Sequence, residues 1–97
     1  SVIATDESSA IAAMKVAIKR GHKVPNDFSV IAFSNGILAR HSSPKLTTVS
    51  QHGEIMGATA AKMLIERLET KQDHLASKTQ IIKTDLVERN STKSLLQ

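Results

Sequence analysis

Val24-Pro25-Asn26-Asp27-Phe28-Ser29-Val30-Ile31-Ala32-Phe33-Ser34-Asn35 leads, after a short turn, into Ser43-Pro44-Lys45-Leu46-Thr47-Thr48-Val49. The run from Phe28 to Phe33 shows no clean apolar/polar alternation, the pattern of a strand covered on both faces in a parallel sheet. Ser34, Asn35 and Gly36 then break the apolar run with a polar turn. In open α/β sheets ligands bind beyond the carboxyl ends of the strands, so this turn is the first place to look for a site.

Working upstream, Val2-Ile3-Ala4 reads as an apolar strand, and Asp6 to Ser9 supplies side chains able to cap a helix N-terminus. Ala10, Ile11, Met14, Ala17 and Ile18 recur at helical spacing; Lys15 and Lys19 mark the opposite face, and Gly21 followed by Pro25 ends the helix. Strand, helix and strand make a βαβ unit, which is almost always a right-handed crossover between parallel strands. Thr5, Asp6, Ser34 and Asn35 are therefore expected along one sheet edge.

Downstream, Gly36 to His41 is a short helical turn, Ser42-Ser43-Pro44 an extended breaker, and Leu46 to Val49 a β-branched strand. The longest helix is expected from about Gln51–Glu54 to Glu69, with Met56, Gly57, Ala60, Ala61, Met63, Leu64 and Leu68 on a broad apolar face whose small residues allow a close neighbour. Thr70 to Lys78 is a polar loop and Gln80 to Val87 a last β-rich segment. The polar tail from Asn90 is expected to fray, with residues 93–97 disordered beyond a domain over 1–92.

At 97 residues the chain is one domain or less. Its opening directly on an apolar strand suggests a piece of something longer, and no targeting signal is inferred or excluded. With 40% hydrophobic and 23% charged residues it has globular composition, and no apolar run approaches a membrane span, so no membrane partner is expected. The absence of cysteine rules out disulfides and cysteine metal sites and fits a reducing compartment. The formal charge of +4 invites a nucleic-acid reading, but the thirteen Lys and Arg are scattered. The aromatic platforms of single-strand binders are missing too, since Phe28 and Phe33 sit in the apolar strand.

The four histidines, His22, His41, His52 and His74, include no i, i+4 pair, so no metal site is expected. Neither G-x-G-x-x-G nor G-x-x-x-x-G-K occurs, and no cofactor is called for. Ala32-Phe33-Ser34-Asn35-Gly36 nearly matches the G-x-S-x-G nucleophile elbow and sits after a strand, which raises a serine hydrolase using Ser34. Against it, the first glycine is Ala32, the following helix is cut short by Ser42-Ser43-Pro44, and the only later acid-then-histidine is Asp73-His74, sequence neighbours in a polar loop. Asp6 is placed equally well to bind a ligand or to cap the helix after it.

Four pieces in order, A-T-D-E-S-S-A-I-A-A-M, G-H-K-V-P-N-D-F-S-V-I-A-F-S-N, P-K-L-T-T-V-S-Q and L-V-E-R-N-S-T, resemble the carboxyl-terminal third of LacI/GalR-type bacterial transcriptional repressors over residues 1 to about 92. The resemblance implies an α/β fragment of a two-lobed periplasmic-binding-protein-like fold, parallel sheets flanked by helices, with a sugar or similar effector held between the lobes. Val49 to His52 and Gln80 to Ile82 would be two of the three crossings between lobes. Effector contacts would fall at Thr5 or Asp6, Ser34, Gly53 and Met56, and Ala10, Ile11, Met14 and Ser42 would face the partner of a homodimer. Operator DNA would be bound by an amino-terminal helix-turn-helix that this chain does not contain, in a cytoplasmic, non-enzymatic protein; an extracytoplasmic sugar-binding protein of the same fold is the alternative.

Two departures stand out. The family usually has glycine at Ala32 and aspartate at Ser34, and a neutral serine cannot make the charge-assisted hydrogen bond that aspartate gives a sugar hydroxyl. The segment between Asp6 and the helix is one residue longer than the family pattern, so Asp6 and Glu7 compete for its acidic position.

Overall fold

The computed structural model describes residues 1–70 and 77–94. Strand β1 (Val2–Ala4) is followed by helix α1 (Glu7–Lys19), strand β2 (Val30–Phe33), the short helix α2 (Ile37–His41), strand β3 (Thr47–Ser50), helix α3 (Gly53–Glu69) and strand β4 (Asp85–Val87). The strands form one sheet in chain order. β1 to β3 are parallel, with Val2 opposite Val30 and Ala32 opposite Thr48, and β4 closes the sheet antiparallel, with Thr48 opposite Val87. The βαβ unit forms as expected.

Local chemistry sets the boundaries. Extended Asp6 caps α1 by accepting the Ser9 N–H at 2.7 Å, and Gly21, at φ 87°, turns the chain out of the helix. α1 buries Ala10, Met14 and Ala17, spaced to share one face, whereas Ile18 stays exposed. β2 begins two residues later than expected: the N–H groups of Asp27 and Phe28 go to the Lys23 carbonyl at 2.8 and 3.2 Å, a turn that holds Phe28 out of the ladder. Leu46 likewise precedes β3 because its N–H bonds Ala39 O at 3.0 Å. Instead of the strand expected from Gln80, β4 starts only at Asp85. Its partner strand ends at Ser50, and His52, at φ 50°, then turns away into α3, leaving residues 80–84 nothing to pair with.

The core lies between α1, α2 and one face of the sheet: Ala4, Ala10, Met14, Val30, Ala32, Ala39 and Leu46, with Val2, Ile11, Val24 and Phe28 at its margin. Contrary to the reading of the Phe28–Phe33 run, only that face is covered by the described residues; on the other, Ile3 is 75% and Phe33 38% exposed. α3 buries none of its residues, and apart from the helix's own neighbouring backbone no described atom comes within 4 Å of where a Cβ on Gly57 would sit. The outcome is elongated, 61 × 27 × 19 Å with a radius of gyration of 18.4 Å, where a compact chain of this length has about 13 Å.

Residues 90–93 do not fray. Ser91 is fully buried: its Oγ donates to Val30 O at 2.6 Å and accepts the Thr47 N–H at 2.8 Å, while its carbonyl accepts the Val30 N–H at 2.9 Å. Thr92 pairs its hydroxyl with Thr47 at 2.8 Å, and Lys93 Nζ donates to Asn26 O at 3.0 Å. Asp73, His74 and residues 95–97, the end of the expected tail, lie outside the described residues.

Candidate functional site at the carboxyl edge of the sheet

Parallel pairing brings the turns after β1, β2 and β3 to one edge. Beyond it a cleft of about 440 Å³ is walled by the turn Ser34-Asn35, by the segment Ser50 to His52, and by Gly53, Glu54 and Met56 at the start of α3. Ser34, Gly53 and Met56, three of the expected effector contacts, thus share one cavity. Ser34 enters it at φ 76°, a left-handed backbone rare for residues other than glycine and concentrated at functional turns; its N–H is held by Val49 O at 3.0 Å.

Thr5 and Asp6 do not line that cleft. Asp6 has its Oδ1 on the Ser9 N–H, and Thr5 reaches its Oδ2 only at 3.5 Å. The backbone N–H of Ser9, followed by its side chain, holds the Asp6 carboxyl below the usual aspartate value. The neighbouring acid acts elsewhere, since Glu7 Oε1 accepts the Gly36 N–H and so joins the turn after β1 to the turn after β2. A Cβ on Gly36 would lie 2.8 Å from both Glu7 oxygens, so a larger residue there would push the carboxylate aside. Of the two acids that competed on sequence grounds, one caps a helix and the other braces the edge.

Two further groups were invisible in the sequence. His52 Nε2 pairs with Asp85 Oδ2 at 2.7 Å, tying the segment that leaves β3 to the one that enters β4. Arg89 Nη1 donates to Leu46 O at 2.7 Å and Thr48 Oγ1 at 3.2 Å, and its Nη2 donates to Asn35 Oδ1 at 2.6 Å. Both link positions more than thirty residues apart through single polar side chains, and no periodicity or spacing encodes such a link. No group of metal-ligating side chains forms among the described residues. Among the described residues the Ser34 hydroxyl makes no hydrogen bond to a histidine, and His52 is paired with Asp85.

The residues expected to face a partner subunit divide. Ala10 is 0% and Met14 2% exposed, so both belong to the chain's own core. Ile11 and Ser42 line a shallow apolar groove of about 290 Å³ between α1 and α2, with Ile18 and Leu38, where Met14 shows only its edge.

A model of the periplasmic binding protein-like domain matches residues 1–92. Over 82 residues the chain is 40% identical to the HTH-type transcriptional repressor PurR of Erwinia tasmaniensis, an alignment covering 84% of this chain and 24% of that protein. A LacI-type transcription regulator from Bifidobacterium animalis subsp. lactis superposes with a TM-score of 0.86 at 33% identity, over 95% of this chain and 32% of that one. The complex of the transcriptional regulator CelR with cellobiose gives 0.84 at 29% identity, over 93% and 27%. The chain spans between about a quarter and a third of the length of these proteins.

Proposed function

The chain belongs to the LacI family of transcriptional regulators, as part of its periplasmic-binding-protein-like effector domain, and we propose that the cleft at Ser34, Gly53 and Met56 senses a sugar or similar small effector. The observation that carries this reading is the convergence of three separate segments, the β2 turn, the end of β3 and the start of α3, on one polar-rimmed cavity. A structural relative carries cellobiose. The family is one of regulators rather than enzymes, and the hydrolase reading of Ser34 falls with that membership.

In this reading the remainder of the longer protein supplies a second lobe against α3 and the operator-binding helix-turn-helix. The segments 49–52 and 80–82 cross between lobes, and an effector that contacts both lobes favours one closure state in proportion to its differential affinity. Ile11 and Ser42, on their groove, face a second subunit of a homodimer. Regulation of an operator places the protein in the cytoplasm; among the described residues, no helix is long and apolar enough to cross a membrane.

Calorimetric titration of the intact protein with cellobiose and D-glucose tests the site. Ser34→Ala and Met56→Ala should each weaken whichever sugar binds. Asparagine caps a helix as well as aspartate does, so an affinity loss in Asp6→Asn reports an effector contact rather than a damaged α1. Unchanged affinity in both Ser34→Ala and Met56→Ala removes the cleft from consideration.

A further inference from the structure

Asn35 lies on the wall of the cleft, and both hydrogen bonds its side chain makes use the same atom. Its Oδ1 accepts from Arg89 Nη2 at 2.6 Å and from Thr48 Oγ1 at 3.1 Å. Thr48 Oγ1 in turn accepts from Arg89 Nη1 at 3.2 Å, so the three side chains close a ring in which every proton is assigned. A guanidinium has donors only, and its fork therefore fixes which end of the amide faces it. The Asn35 Nδ2 group, with two N–H donors, has no partner among the described residues.

One carboxylate, Glu7, reaches this turn, but it is held on the Gly36 N–H and does not line the cleft. Arg89 meets only neutral acceptors, Leu46 O, Thr48 Oγ1 and Asn35 Oδ1, so no carboxylate offsets its charge from within the ring. Ser34, beside Asn35, is neutral, and the one carboxylate in the cleft lining, Glu54, belongs to the first turn of α3. Asp85 is paired with His52.

We propose that Arg89 is a positioning residue that locks the Asn35 amide with its N–H donors toward the cleft, selecting an effector with an acceptor-only oxygen, such as a carboxylate, phosphoryl or carbonyl group. This deepens the effector-sensing reading and rests on it. A hydroxyl can also accept these N–H bonds, but its own proton competes for Asn35 Oδ1, which Arg89 and Thr48 already occupy, whereas an oxygen that can only accept leaves no donor unmatched. Asn35 then separates ligands that an aspartate at the same place would rank the other way.

The decisive variant is Asn35→Asp, which has the same shape, keeps the acceptor for Arg89 and removes the donors. The intact protein is titrated by calorimetry with D-glucose, D-glucuronate, D-glucose 6-phosphate and the methyl ester of D-glucuronate. The ester carries a carbonyl acceptor without charge and so separates a lost donor from simple repulsion. At least one of the three oxidised or phosphorylated sugars should bind more tightly than D-glucose. Asn35→Asp should weaken that sugar and the ester by about tenfold, the scale of one lost hydrogen bond, while raising the melting temperature through the new ion pair with Arg89. Tighter binding of D-glucose, or ester binding unchanged in Asn35→Asp, overturns the inference and leaves the effector site standing. Failure of the wild-type protein to bind any of the four, or cellobiose, overturns the sugar-sensing reading beneath it.

Discussion

Ser34 combines a left-handed backbone with a side chain at the cleft, so its fold and its function can be pulled apart by substitution. At φ 76° a side chain crowds its own backbone, at a cost of about 1–2 kcal/mol that glycine avoids. Ser34→Gly should therefore leave urea stability unchanged or raise it by up to about 1 kcal/mol, since glycine's own entropy cost cancels part of the relief. Ser34→Val, β-branched at positive φ, should lose about 1–2 kcal/mol; equal stability of the two variants would mean the turn relaxes. Asp6 gives a pH-dependent case. Its carboxyl sits below the usual aspartate value because the Ser9 N–H bonds the charged form. A lowered folded value means the cap's contribution is complete above the unfolded-state pKa and disappears as pH falls through the folded one. Unfolding of the wild type and Asp6→Ala should accordingly differ at neutral pH and converge in acid. A gap that persists in strong acid would assign the stabilisation to something other than the ionised cap.

The elements around the site are held by contacts between their ends. Glu7, the first residue of α1, bonds the Gly36 N–H at the entry to α2, and a Cβ on Gly36 would drive the carboxylate away. Glu7→Ala and Gly36→Ala should each cost about 1–2 kcal/mol, the value of a part-buried hydrogen bond to a charged group. Because both break the same bond, the double variant should cost clearly less than the sum, and a double-mutant cycle reads that coupling directly. Full additivity would show that the clasp contributes nothing. The limits of sequence reading follow the same division. β1, α1, α2 and α3 were legible because capping groups, glycine stops and apolar spacing are local signals, as was the strand order of the βαβ unit; the grouping of Ser34 with Gly53 and Met56 came only from the family resemblance. The clasp between Glu7 and Gly36, the Arg89 ring and the anchoring of Ser91 were not: each joins residues 29 to 61 positions apart through one side chain. Ser91 misled for a further reason, since a polar run reads as a tail unless its partners are known. The late start of β4 was hidden because strand length depends on a partner strand, which ends at Ser50.

At the scale of the whole molecule, the described residues leave apolar surface open on the outer face of the sheet at Ile3 and Phe33 and along α3, where Leu64 is 59%, Ile65 53% and Leu68 76% exposed. The sequence pattern there was read correctly as apolar; what it could not say is that the other described residues do not cover it. Chains that leave such faces open associate or bind whatever apolar material covers them. α3 has a second weakness, because an isolated helix of its length is marginal in water without tertiary packing, and its N-cap His52 makes no side-chain capping bond. Expressed alone, residues 1–97 should therefore split into two regimes. Amides of α1, β2 and β3, which enclose Met14, Val30 and Leu46, should show measurable hydrogen-exchange protection, whereas α3 amides should exchange near the rate of an unfolded peptide, and the chain should bind the dye ANS. In the intact protein, with a second lobe against α3, the same amides should become protected and dye binding should fall. Strong protection of α3 in the isolated chain at monomer concentrations would show that the helix is stable without a covering lobe, and the proposed second-lobe contact along α3 would lose its energetic reason.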